Sequence, residues 1–136
     1  MGLKLLASIA AILASTPAAA TPSIFGRWLT DDRSAVIHVD RCGAQLCGTI
    51  ERVLNPKAPA RDINNPDPAL RTRALVGTPV LTGFTGAGAK WQGGQAYDPK
   101  AGRSYRSYLT LDDENRLRVT GCVVFLCKSL IWTRVP

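Results

Sequence analysis

Between residues 104 and 111 the chain alternates: Tyr105, Leu109 and Leu111 fall on one side, Arg106, Tyr108 and Thr110 on the other. A period of two marks a strand with one buried and one wetted face. Leu117 and Val119 alternate with Arg116 and Arg118 in the same way. Short β-type runs recur at 24–30, 34–40, 46–54, 79–84, 91–97, 104–111, 116–124 and 129–135, and nothing between them sustains a helical period. The pattern predicts an all-β domain, a small antiparallel up-and-down β-barrel of about eight strands whose first and last strands pair to leave no open edge.

The connections carry turn chemistry. Asp31-Asp32-Arg33-Ser34 can close a hairpin through Asx hydrogen bonds, Asp98-Pro99-Lys100-Ala101-Gly102 combines a preset φ with a glycine, and 112–115 is a polar turn. One segment breaks the rhythm. Residues 55–78 are rich in Pro and Asn, and the only regular piece expected there is a short helical turn capped by Asp67 and started by Pro68. A loop this long in a compact domain is usually either functional or disordered, so it is the first place to look for a site.

Residues 1–20 form a different unit. Lys4 precedes an apolar run over 5–14, and Ala18-Ala19-Ala20 follows, the pattern of a secretory signal cleaved before Thr21. About ten apolar residues are too few for a membrane span, which needs roughly 20. The expected division is a signal peptide over 1–20 and one barrel domain over 21–136, exported to the periplasm or beyond and not transmembrane. The chain has 17 Lys and Arg against 10 Asp and Glu, a net charge of +7, of which Lys4 leaves with the signal. The basic residues are scattered singly, which argues against nucleic-acid binding and leaves weak attraction to an anionic envelope polymer or lipid surface as a partner.

The four cysteines lie at 42, 47, 122 and 127. In an exported chain they read as disulfides, and Cys42–Cys47 and Cys122–Cys127 are the simplest pairing, each bridging a tight turn and contributing about 2 kcal/mol. A four-cysteine zinc site is the less favoured alternative, because zinc pairs use shorter spacings.

Gly26-Arg27-Trp28, the 42–48 segment, Asp62 to Arg73 with its Asn64-Asn65-Pro66-Asp67-Pro68 core, Trp91-Gln92-Gly93-Gly94, Tyr97 to Gly102, the 117–122 segment and Trp132-Thr133-Arg134 occur in that order. In these motifs the chain resembles the exported bacterial family catalogued as domain of unknown function 2147. The resemblance implies a calycin-like barrel of the lipocalin type in a bacterial periplasm, and no established activity. Lipocalin-type barrels often set a Gly-x-Trp on the first strand against an Arg on the last. The resemblance therefore implies structural roles for Gly26, Trp28, Trp132 and Arg134, with the cation held over an indole face.

Catalysis finds little support. The only histidine, His38, sits mid-strand, the cysteines are expected to be paired, and no Gly-x-Ser-x-Gly turn occurs. Asp62, Asn64, Asn65 and Asp67 offer oxygen ligands but lack the glycine and late glutamate of a calcium loop, so no metal and no cofactor is expected. These polar residues can satisfy their own loop, with Arg71 and Arg73 pairing to its acids, or can present a binding surface. The aromatic residues either fill the barrel or line a cavity that takes one small ligand. The tentative ligand set is Asn64, Asn65, Asp67, Arg71, Arg73, Trp91 and Tyr105. The leading expectation is a non-catalytic binder of a small apolar or amphipathic ligand. A packed envelope interaction protein is the alternative, and a hydrolase ranks third.

Overall fold

The computed structural model describes residues 1–16 and 21–136. Residues 1–16 are exposed and form no regular element, and no helix among the described residues is long and apolar enough to cross a membrane. The expected cleavage site, Ala18-Ala19-Ala20, lies outside the described residues.

Eight strands follow in simple succession: β1 (Gly26–Leu29), β2 (Ala35–Cys42), β3 (Gln45–Val53), β4 (Pro79–Ala87), β5 (Lys90–Asp98), β6 (Arg103–Asp113), β7 (Arg116–Val123) and β8 (Leu126–Arg134). Each pairs antiparallel with the next, and β8 returns to β1 to close the barrel. The closing seam is short, with Trp28 opposite Arg134 and Leu29 opposite Thr133. Inward positions carry Val39, Leu46, Leu81, Phe84, Leu109, Leu117 and Val119, all buried.

Strand ends shift from the expected ones for local reasons. The last strand begins at Leu126 rather than near 129, because Val123 pairs with Leu126 and leaves only Val124 and Phe125 to turn the chain. The fourth runs on to Ala87, since Thr85, Gly86 and Ala87 find partners in Gln92, Trp91 and Lys90. The turn residues behave as their chemistry dictates. Asp32 accepts from Thr30 Oγ1 at 2.9 Å and from the Ser34 amide at 3.0 Å, and Asp98 accepts from the Lys100 amide at 3.0 Å. The disulfides Cys42–Cys47 and Cys122–Cys127 span their hairpins at Cα separations of 5.9 and 4.0 Å.

Arg134 closes one end. Its guanidinium lies 4.3 Å from the centre of the Trp28 ring, donates through Nη1 to the Phe25 carbonyl at 3.1 Å and through Nε to the Glu114 carbonyl at 2.6 Å, and reaches the Ser23 carbonyl through Nη2. Trp28 is fully buried and its Nε1 donates to the Ile24 carbonyl at 2.9 Å. Gly26 has φ of 135°, which favours glycine, and a Cβ there would sit 2.7 Å from Arg134 Nη1 and push the guanidinium from its place. The cation thus ties the N-terminal approach, the β6–β7 turn and the seam together. Truncating it as Arg134→Ala is expected to cost about 3 kcal/mol, as three carbonyls and an indole face lose a charged donor. The check is the urea midpoint, with Arg134→Lys recovering only part of the loss because one ammonium cannot span the same fork.

Candidate functional site

The end opposite Arg134 is open. There the β1–β2 turn, the 55–78 loop, the β5–β6 turn and the β7–β8 turn surround the mouth of a cavity of about 750 Å³ that runs into the barrel. Its walls are apolar, formed by Ile37, Ile50, Val80, Leu81, Val119 and Leu130. Its rim is mixed, with polar residues such as Asn64, Lys57, Lys100 and Lys128 beside apolar Ile63, Val123 and Leu126. Eight strands leave an interior wide enough for one small ligand, and this volume lies within the range of small-molecule sites, about 300–1,000 Å³.

The 55–78 loop folds over this mouth around one buried carboxylate. Asp62 is 1 % exposed. It accepts from the Tyr97 hydroxyl at 2.6 Å, Asn65 Nδ2 at 2.8 Å, and Arg73 through Nε at 3.1 Å and Nη2 at 2.9 Å. Burial pushes the Asp62 carboxyl up, but the donors from Tyr97, Asn65 and Arg73 outweigh it and hold the group below the usual carboxylate range. The Tyr97 phenol moves the other way, pushed up to about 12 by burial and by its bond to Asp62. A phenol that stays protonated and a carboxylate already taken by four donor contacts make a clasp rather than an acid–base pair.

Further bonds complete the loop. Asp67 accepts from the Ala69 amide at 3.0 Å and caps a single 3-10 turn, Pro68–Leu70. Asn65 Oδ1 accepts from the Asp67 amide at 2.8 Å, and Arg71 Nε donates to the Asn65 carbonyl at 2.8 Å. Asn64 Nδ2 donates to the Lys100 carbonyl at 3.2 Å, tying the loop to the β5–β6 turn. Gly102 in that turn has φ of 63°, and any Cβ there would run into the Asn64 carbonyl. Lys100 in turn pairs with Asp32 of the β1–β2 turn. Three of the four rim segments are therefore knitted together.

Of the seven residues in the tentative ligand set, Asn64 and Tyr105 line the cavity. Asn65, Asp67, Arg71 and Arg73 are not among the lining residues, and each makes hydrogen bonds within the loop. Trp91 lies toward the other end, where its ring stands edge-on to Phe25 at 5.9 Å and its Nε1 donates to the Gly88 carbonyl at 3.1 Å. The indole that does line the cavity is Trp132. Its Nε1 is the one buried side-chain polar atom with no hydrogen-bond partner among the described residues. Period two could have shown it, since Leu130 and Trp132 share the face that ends in Arg134. Among the described residues, no group of three His, Cys, Asp or Glu converges as a metal site would require.

Replacing Asp62 by Ala is expected to destabilise the fold by about 3 kcal/mol, as Arg73 and Tyr97 lose a buried charged partner. The pH dependence carries a sign at each end. The depressed Asp62 carboxyl contributes stability that is complete above its ordinary value of 3.8 and fades as pH falls through the folded one. The raised Tyr97 phenol contributes stability that is complete below 10.0 and fades as pH climbs toward about 12. Urea midpoints against pH for the wild type and Asp62→Asn check both limbs, the acid limb flattening in the variant.

The model of the family described as an uncharacterized protein conserved in bacteria (DUF2147) matches residues 26–134. Among solved structures, the chain is similar to a protein described as "HP1028 from the human pathogen Helicobacter pylori", which "belongs to the lipocalin family". The two share 19% sequence identity, each is covered over 85% of its length, and the TM-score is 0.76. No curated protein matches the chain. At that identity the likeness carries the fold, a lipocalin-like barrel. The match over residues 26–134 spans the whole barrel from the first residue of β1 to the last of β8, and the chain belongs to the bacterial DUF2147 family.

Proposed function

We propose that this protein is an exported, non-catalytic carrier that holds a small amphipathic molecule, its apolar part inside the barrel and its polar head at the rim. The observation that carries the reading is the cavity of about 750 Å³, apolar in its walls and open at one end. A solidly packed barrel would leave no such space. The rim suits a polar head group, with Lys57, Lys128, Asn64 and Tyr105 as contacts beside Asp31 and Asp98.

Export is the other half of the reading. Two disulfides belong to an oxidising compartment and so to a location outside the cytoplasm. The short apolar run over 5–14, with Ala18-Ala19-Ala20 after it, supports cleavage before Thr21 and a periplasmic destination.

Titration with a fluorescent long-chain fatty acid is expected to show saturable binding. Ala96→Trp, which puts a large ring into the cavity, should weaken it by about tenfold or more while costing at most about 3 kcal/mol of stability. Binding that is absent from the wild type, or unchanged by the filled cavity, would sink the carrier reading. Trp132→Phe keeps one aromatic ring and removes the unpaired donor, so the free protein should lose less than about 1 kcal/mol. Mass spectrometry of the secreted form is expected to show a chain starting at Thr21, and a retained 1–20 segment would contradict export by cleavage.

A further inference from the structure

The β7–β8 turn is built unlike the other rim segments. Val123, Val124, Phe125 and Leu126 are 56, 83, 94 and 81 % exposed, four consecutive apolar side chains held in water. Among the described residues no side-chain hydrogen bond or ion pair reaches them, whereas the other three rim segments are bonded to one another. Val124 has φ of 53°, a conformation that disfavours a β-branched residue and that a hairpin turn normally gives to Gly, Asn or Asp. The Cys122–Cys127 bridge sits directly behind, between register partners, and keeps the tip from folding back on the barrel. Val123 and Leu126 also border the cavity mouth, as does Ile63 from the long loop, itself 54 % exposed.

Charge is unevenly placed around this tip. The segments at the open end, 31–33, 52–78, 98–106 and 121–129, hold ten Lys and Arg against five Asp. The remainder of 21–136 holds six Lys and Arg against five Asp and Glu. Nearly all of the barrel's excess positive charge thus lies at the end that presents the apolar tip. Arg106 stands opposite Cys122 and Lys128 opposite Gly121, so two cations flank the base of the hairpin itself.

We propose that the β7–β8 tip docks the barrel on an anionic phospholipid bilayer, its four apolar side chains entering the interfacial layer and the surrounding Lys and Arg meeting the head groups. Because the tip borders the mouth, docking turns the cavity toward the lipid. Resting on the carrier reading, the proposal makes the bilayer the place where an amphipathic ligand enters or leaves. A second copy of the chain fits less well, since two such ends would oppose like charges.

The test uses the secreted protein with vesicles of phosphatidylglycerol and phosphatidylcholine, against phosphatidylcholine alone, read by co-sedimentation. The variant is Val124→Gly with Phe125→Ser, a pair suited to a tight hairpin turn that spares every residue lining the cavity. The wild type is expected to bind the anionic vesicles and to lose that binding as salt rises to about 0.5 M. The variant should bind about tenfold more weakly or worse, having lost its exposed apolar pair. It should still take the fluorescent fatty acid from solution as the wild type does, which separates failure of docking from failure of the carrier reading. A wild type that ignores anionic vesicles, or a variant that binds them equally well, overturns the proposal. So does concentration-dependent self-association of the wild type that the variant abolishes, which would make the tip a contact between copies.

Discussion

A barrel of eight strands is only as closed as its seam, and here the seam is two residue pairs long, Trp28 with Arg134 and Leu29 with Thr133. One further main-chain bond, from the Val135 amide to the Arg27 carbonyl at 2.9 Å, continues that short ladder. Arg134 adds the rest by spanning carbonyls of Ser23, Phe25 and Glu114 while lying on the Trp28 face. A guanidinium suits this position because it presents several coplanar donors and a flat cationic surface at once. With that end locked by one side chain, the hydrophobic residues beneath it pack against a fixed floor. The cavity can then be left open at the far end without the sheet unrolling.

Openness has its own cost, which the long loop offsets. A segment of this length over a cavity mouth has too few apolar residues to hold itself down by burial. Instead it encloses a single carboxylate and satisfies it completely, and the Asp62 bonds to Tyr97 and Arg73 link the loop to the sheet and to its own later residues. Desolvating a charge is unfavourable in itself, so the loop is stable only in the one conformation that brings all the donors together. Such an arrangement favours a defined rim over a mobile one.

The fold was legible because period-two alternation and turn chemistry are local. Leu109 and Leu111 against Tyr108 and Thr110 identify a strand wherever they occur, and Asp67 before Pro68 identifies a helical start without knowledge of the rest. The site was less legible because its contacts are not local. Asp62 and Tyr97 are 35 residues apart, and nothing near either position announces the pair. For Arg71 and Arg73 the sequence left pairing within the loop and a binding surface both open, and the loop's path decides it for Arg73, which reaches the Asp62 carboxylate, while Arg71 bonds the Asn65 carbonyl and stays exposed. Trp91 and Trp132 are chemically alike and both sit on inward faces, yet height along the barrel axis puts one toward the closed end and the other at the cavity. Alternation reports the face of a strand and is silent on that height.

Up-and-down topology explains why so much of the chemistry shares one end. With strands joined in simple succession, the β1–β2, β3–β4, β5–β6 and β7–β8 connections must all emerge together, and the other three connections emerge opposite. The irregular loop, the ion-paired turns, the apolar hairpin tip and the excess of Lys and Arg all belong to the first set. The second set contains the Cys42–Cys47 hairpin and the turn whose carbonyl Arg134 holds. Substitutions in the first set leave the seam and the floor untouched, so rim chemistry can change while the barrel stays closed. A fold divided in this way can keep its architecture at low sequence identity, and the shared barrel at 19% identity shows that it does.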